Sequence, residues 1–201
     1  MADKIQAVIF DMGGVLLRSE NYAPRTALAK KYGLSLNQLE DLVFESKTAH
    51  RATVGEITEA EHWESVYDVL KVPTEDRSSF VDSFWEGDQL DTQLIEFLDN
   101  LRPSYKTALL SNAWTGTRQT LYEKHVCKDV FDVSIFSYEV KLAKPDPAIY
   151  NLVLKNLGVA ASAAIFVDDN LQNIESASRL GIHGVRFASR EQALEEIRAL
   201  L

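Results

Sequence analysis

The run AVIFDMGGVLL (residues 7–17) sets a charged side chain, Asp11, at the end of an apolar segment. The pattern recurs along the chain. KTALLS (106–111) ends on Ser111 with Asn112 next, and AAIFVD (163–168) ends on Asp168 with Asp169 next. Lys144 stands just before a helix start in KLAKPDPAIY. In a parallel sheet, ligands bind beyond the carboxyl ends of the strands, so these residues would meet at one edge. Clustered carboxylates raise one another's pKa unless a cation shares the site. Mg²⁺ suits such a set, because it takes oxygen ligands and keeps waters beside one or two carboxylates and a phosphate. Metal, lysine and hydroxyl would together neutralise a phosphoryl group, and an adjacent carboxylate would attack it to form an aspartyl-phosphate.

Five short apolar runs would carry these residues: QAVIF (6–10), KTALLS (106–111), VSIFS (133–137), AAIFVD (163–168) and GVRFA (184–188). Their nearly unbroken hydrophobicity predicts strands buried on both faces. Between the later runs lie helical patterns at 91–102, at 147–158 (opened by Pro147, closed by Gly158) and at 170–181. Strand alternating with helix predicts an α/β fold with a doubly wound parallel sheet. Residues 18–88 hold helical patterns and no convincing strand, so they read as a helical insertion directly after the first strand. The predicted division is a core of 1–17 and 89–201, with 18–88 as a separate helical domain.

The formal net charge is −9, which argues against nucleic acid or an anionic membrane surface as partner and leaves a small phosphorylated metabolite as the expected one. The N-terminus has no signal-peptide apolar region and no run approaches a membrane span. Cys127 is alone, which excludes an internal disulfide and suits a reducing compartment. The expectation is a cytoplasmic protein.

Four stretches, IFDMGGVL (9–16), LLSNAW (109–114), AKPDPAIY (143–150) and IFVDDNLQNI (165–174), appear in the order of the four signature motifs of the haloacid dehalogenase superfamily of hydrolases, and the chain resembles that family over its whole length. The resemblance implies a Rossmann-like core with strand order 5-4-1-2-3, the runs being numbered along the chain, and a helical cap at 18–88. It implies Asp11 as nucleophile and Mg²⁺ ligand, the Gly13 carbonyl as a second ligand, and Asp169 as direct ligand with Asp168 behind it. Ser111 and Asn112 would bind phosphoryl oxygens, and Lys144 would counter the charge of nucleophile and phosphate.

One position departs from the pattern. Family phosphatases usually carry a second Asp two residues after the nucleophile, as acid and then base, and here Gly13 stands there. Losing a general acid/base costs roughly 10²–10⁴-fold. The departure leaves three readings: a substrate with a good leaving group, a proton supplied from His50, Arg51 or Glu56 in the insertion (Arg51 by charge), or a weak catalyst that mainly binds. Members with Gly here include sugar-phosphate phosphatases, which favours a phosphoric monoester hydrolase. A metal-free dehalogenase attack by Asp11 on a carbon–halogen bond is the other enzymatic alternative, disfavoured by the Asp168-Asp169 pair. His50, His62, His125 and His183 lack metal-ligand spacing and read as structural or surface residues. Cys127 reads as an ordinary thiol, Asn173 as a helix-surface residue, and Trp63 and Trp85 as packing residues. Trp114 is a candidate pocket wall, and one of Asp168 and Asp169 is a candidate helix cap.

Overall fold

The computed structural model describes residues 4–124 and 128–201, so His125 and Cys127 lie outside the described residues. In chain order the elements are β1 (Ala7–Phe10), β2 (Leu17–Ser19), α1 (Ala23–Lys31), α2 (Leu36–Glu40), a π-helical turn (Asp41–Glu45), α3 (Lys47–Thr53), α4 (Glu59–Leu70), α5 (Arg77–Trp85) and β3 (Asp88–Leu90). There follow α6 (Thr92–Leu101), β4 (Lys106–Ser111), α7 (Thr117–Lys124), β5 (Val133–Phe136), α8 (Ser137–Val140), α9 (Pro147–Leu157), β6 (Ala164–Asp168), α10 (Leu171–Arg179), β7 (His183–Arg186) and α11 (Arg190–Leu200).

Successive residues of a strand point to opposite faces of the sheet, and β1 is buried on both. Val8 and Phe10 pack with Leu94 and Leu98 of α6 and Ile197 of α11. Ala7 and Ile9 pack with Ile149 and Val153 of α9 and Ala177 of α10. Helices on both faces explain why the strand sequences do not alternate. The five parallel strands run in the order β5-β4-β1-β6-β7, which is the expected order read from the other edge. β1 lies at the centre, so Asp11 emerges between the ends of β4 and β6.

Helix punctuation follows the sequence. Asp146 caps α9 through Ala148 N, and Gly158 closes it in the left-handed region. Between 18 and 88 the structure departs from the expectation of helix alone. β2 and β3 pair as an antiparallel ribbon at the two ends of this segment. Within this segment the helical run from 36 to 53 is divided into α2, the π-turn and α3. The helices have their own core, including Leu39, Val43, Trp63, Phe80 and Phe84, and the sheet edge contributes Trp114 to it.

Asp91 joins the ribbon to the sheet layer. It accepts from Gln93 N and Leu94 N to cap α6, from Arg18 of β2 at 2.8 Å and from Arg190 of α11 at 3.1 Å. Burial pushes its carboxyl up, but the hydrogen bonds from Arg18, Leu94 N and Arg190 outweigh this and hold it below the usual range. Asp91→Ala is expected to lose about 2 kcal/mol of stability at pH 7, roughly half of it the helix cap, as read by urea denaturation. The folded pKa is depressed, so the contribution is present above the unfolded value of about 3.9 and is lost as pH falls through the folded one. The gap between wild type and variant should therefore close in acid; a gap that stays constant down to low pH would refute the assignment.

Candidate functional site

Asp11, Ser111 and Asp168 sit at or just past the carboxyl ends of the adjacent strands β1, β4 and β6, and Lys144 reaches them from the loop between α8 and α9. Lys144 Nζ lies 2.6 Å from Asp11 Oδ1 and 2.7 Å from Asp168 Oδ2, and all three side chains are buried. The Lys144 backbone is fixed by a pair of amide bonds: Lys144 N donates to Asn112 Oδ1 at 2.8 Å, and Asn112 Nδ2 donates to Lys144 O at 2.9 Å. Asp168 is saturated. Besides Lys144 it accepts from Asn170 N at 2.8 Å and, through both oxygens, from Asn173 Nδ2 at 3.0 and 3.1 Å. Asn173 O in turn accepts from the Tyr150 hydroxyl at 3.0 Å.

Asp169 is exposed and borders an open cleft of about 500 Å³ that Gly14, Arg18 and Arg190 also line. Its carboxylate packs on Gly14, where a Cβ would stand 2.3 Å from Oδ2 and the backbone has φ +76°. Only glycine meets both conditions without strain.

Asp11, Asp168 and Asp169 bring carboxylate oxygens within 4.8 Å of one another, and they form the one such group of potential metal-ligand residues among the described residues. Burial pushes the Asp11 carboxyl up to about 7 against the pull of Lys144, with the Asp168 charge adding to the rise. Burial and Asp168 also raise Asp169. Lys144 loses solvation on burial, but the two carboxylates more than restore its charge and hold its pKa above the usual value. One ammonium thus faces three carboxylates, and the excess negative charge fits a divalent cation on oxygen ligands. With Asp168 saturated, Asp11 and Asp169 are the carboxylates with oxygens to offer. The Gly13 carbonyl takes no part in the bonds on either side of it, where Leu17 N donates to Met12 O and Gly14 N donates to Leu17 O.

The expected residues are placed unequally. Asp11, Ser111, Lys144, Asp168 and Asp169 converge, and among the described residues the Ser111 hydroxyl has only a long 3.4 Å contact to Asn112 O. The Asn112 amide braces the Lys144 loop instead of standing free for a substrate. Arg51 is exposed and pairs with Glu56 at 3.2 Å, and among the described residues no bond joins it to the cluster. His50 is exposed. His62 is buried in the helical core between Thr48 and Val43 O, and His183 Nε2 donates to Ser162 O, so none of these three joins a metal-ligand group. Trp114 is buried and bonds Thr53 Oγ1 through its indole N–H. Neither aspartate caps α10; Asn170 does, accepting from Gln172 N. Asn173 is buried on Asp168 and is not a helix-surface residue. Its place five residues after Asp168, on the inward face of the next helix, is the signal that could have found it. Tyr150 lies within the motif after Lys144, but its hydroxyl meets Asn173 across the fold.

A sequence profile of haloacid dehalogenase-like hydrolases matches residues 5–181. The chain is 26% identical over 197 residues to a drimenol cyclase of Aspergillus calidoustus, covering 96% of this chain and 36% of the cyclase. It is 25% identical over 202 residues to a sesquiterpene phosphatase of Aspergillus oryzae, covering 100% of this chain and 99% of that protein. The chain thus spans about a third of the first relative and nearly all of the second. The fold superposes with a TM-score of 0.76 on a magnesium complex of a HAD family enzyme from Bacteroides thetaiotaomicron, at 25% identity, covering 96% of this chain and 99% of that one. The match over residues 5–181 takes in all four strand-end motifs and the cluster they build: the chain belongs to the haloacid dehalogenase-like hydrolase family.

Proposed function

We propose that this chain is a Mg²⁺-dependent phosphomonoesterase that hydrolyses a small phosphorylated metabolite through an aspartyl-phosphate on Asp11. The observation that carries the reading is the Lys144 ammonium held between Asp11 and Asp168, beside an Asp169 carboxylate that it does not neutralise. Asp11, the Gly13 carbonyl and Asp169 would hold Mg²⁺, which when bound would draw charge from the phosphoryl oxygens. The phosphatase relative and the magnesium-bound neighbour support this reading.

Both polar contacts of Asp11, from Lys144 Nζ and from Met12 N, fall on Oδ1. One Asp11 carboxylate oxygen forms a bond to phosphorus while the bond to the ester oxygen breaks, and that ester oxygen leaves with the electron pair. Lys144 and the Ser111 hydroxyl donate to the phosphoryl oxygens as the charge shifts. Water then hydrolyses the acyl phosphate, releasing inorganic phosphate and restoring the Asp11 carboxylate. Gly13 offers no proton to the departing oxygen, so the substrates are those that leave unprotonated: aryl, acyl or anomeric sugar phosphates. The helices between 18 and 88 act as a cap that closes over the bound substrate and keeps bulk solvent out during phosphoryl transfer. Metal-free dehalogenase chemistry would leave the Asp169 charge beside Asp11 with no counter-ion.

Asp11→Asn is expected to abolish Mg²⁺-dependent phosphate release in a screen of phosphorylated metabolites; full activity in the variant would move the nucleophile elsewhere, and no turnover in wild type would favour a binding role. Gly13 lies outside the left-handed region and a Cβ there would meet nothing within 4 Å, so Gly13→Asp is sterically free. It should raise the rate on alkyl phosphates by about 10²-fold and shrink the aryl preference; equal aryl and alkyl rates in wild type would contradict the leaving-group argument. Gly14→Ala, by displacing the Asp169 carboxylate, should weaken Mg²⁺ about 10- to 100-fold in calorimetric titration. Unchanged affinity would place the ion away from Asp169.

A further inference from the structure

Ser137 ends the third apolar run, VSIFS, and has no part in the proposed phosphoryl transfer. β5 pairs with β4 in a register that sets Phe136 against Ser111, so Ser137 comes up beside Asn112 and Ala113. Ser137 is fully buried, and its hydroxyl is engaged on two sides. It accepts from Ala113 N at 2.9 Å and donates to Thr53 O at 2.6 Å, with Ala113 O at 3.1 Å. Thr53 closes α3, and the last carbonyls of a helix have no partner within it. One hydroxyl of the sheet layer thus satisfies both a helix end of the 18–88 segment and an amide of the loop after β4.

Two further contacts fix Thr53 in this place. Its own hydroxyl accepts from the Trp114 indole N–H at 3.2 Å. Gly55, two residues on, lies at φ +66° with its backbone so close to Tyr138 O that a Cβ would collide with it. From Ala113 the path to the reacting atoms is short. The neighbouring Asn112 side chain makes both amide bonds to the Lys144 backbone, and Lys144 Nζ contacts Asp11 and Asp168. Every link in this path is a polar contact or a covalent neighbour. A misplacement of about 1 Å at a reacting group can cost roughly 10²-fold in rate, so whatever holds Asn112 bears on turnover.

We propose that Ser137 is a positioning residue: by joining Thr53 to Ala113 it makes the helical segment hold Asn112, and through it the Lys144 ammonium, in place for phosphoryl transfer. The inference rests on the phosphomonoesterase reading. In the Mg²⁺-loaded full chain, kcat and KM for p-nitrophenyl phosphate are measured in wild type, Ser137→Ala, Asn112→Ala and the double variant, below the melting temperature of each. Ser137→Ala should lower kcat about tenfold and move KM less than about twofold, since Lys144 acts as the charge shifts in the transition state. In the Asn112→Ala background the same change should cost less than about twofold, because the path is already cut. Gly55→Ala displaces Thr53 from the other side and should reproduce the loss of kcat with Ser137 intact. It decides the question alone if Ser137→Ala does not fold. An unmoved kcat in either folded variant, or losses that multiply in the double variant, overturns the positioning role and leaves the phosphomonoesterase reading standing. A wild-type chain that releases no p-nitrophenol overturns that reading and the positioning role with it.

Discussion

The Lys144 ammonium between Asp11 and Asp168 is the contact on which the site depends. Three buried charges within 2.7 Å contacts tolerate no deletion of the central one, since an uncompensated buried carboxylate costs several kcal/mol. The surroundings hold that ammonium from every side. Asn112 grips its backbone, Asn170 N and Asn173 fix Asp168 behind it, and Tyr150 fixes Asn173. Apart from the local Asn170 N bond, these contacts cross between different elements. The polar network therefore holds the carboxyl ends of β1, β4 and β6 in register as well as building the site.

This arrangement divides the labour between two neighbouring aspartates. Asp168 accepts from three donors, Lys144, Asn170 N and Asn173. Asp169 is exposed, packs on Gly14 and borders open space. Sequence order alone cannot separate two adjacent carboxylates, because both follow the same strand. The separation comes from the strand's end: Asp168 keeps the inward direction of β6, and Asp169 turns out toward the cleft.

The five-stranded sheet is legible in the sequence because its strands are buried on both faces and read as apolar runs. The β2–β3 ribbon is not, since three residues per strand, none of them buried, are too few to carry a periodicity. The π-turn is equally silent, because the apolar positions from 36 to 50 fit one continuous helix and only packing against Trp114 and Phe84 distinguishes the two. At the site, charged residues at strand ends are legible by type and place. The amides are harder to read. Asn112 looks like a ligand for phosphate, but its partner is a backbone 32 residues away, and no local pattern records that pairing.

Gly13 and Gly14 show why adjacent identical residues can answer to different constraints. At Gly14 the backbone conformation and the Asp169 carboxylate both exclude a side chain, so the position is closed by geometry. At Gly13 neither constraint acts, and the fold leaves room for the carboxylate that family phosphatases usually carry there. Packing therefore does not account for the glycine at Gly13. In the proposed reaction its consequence is chemical: the site keeps the backbone carbonyl and gives up the proton donor. That exchange is tolerable only where the substrate's own leaving group bears the charge.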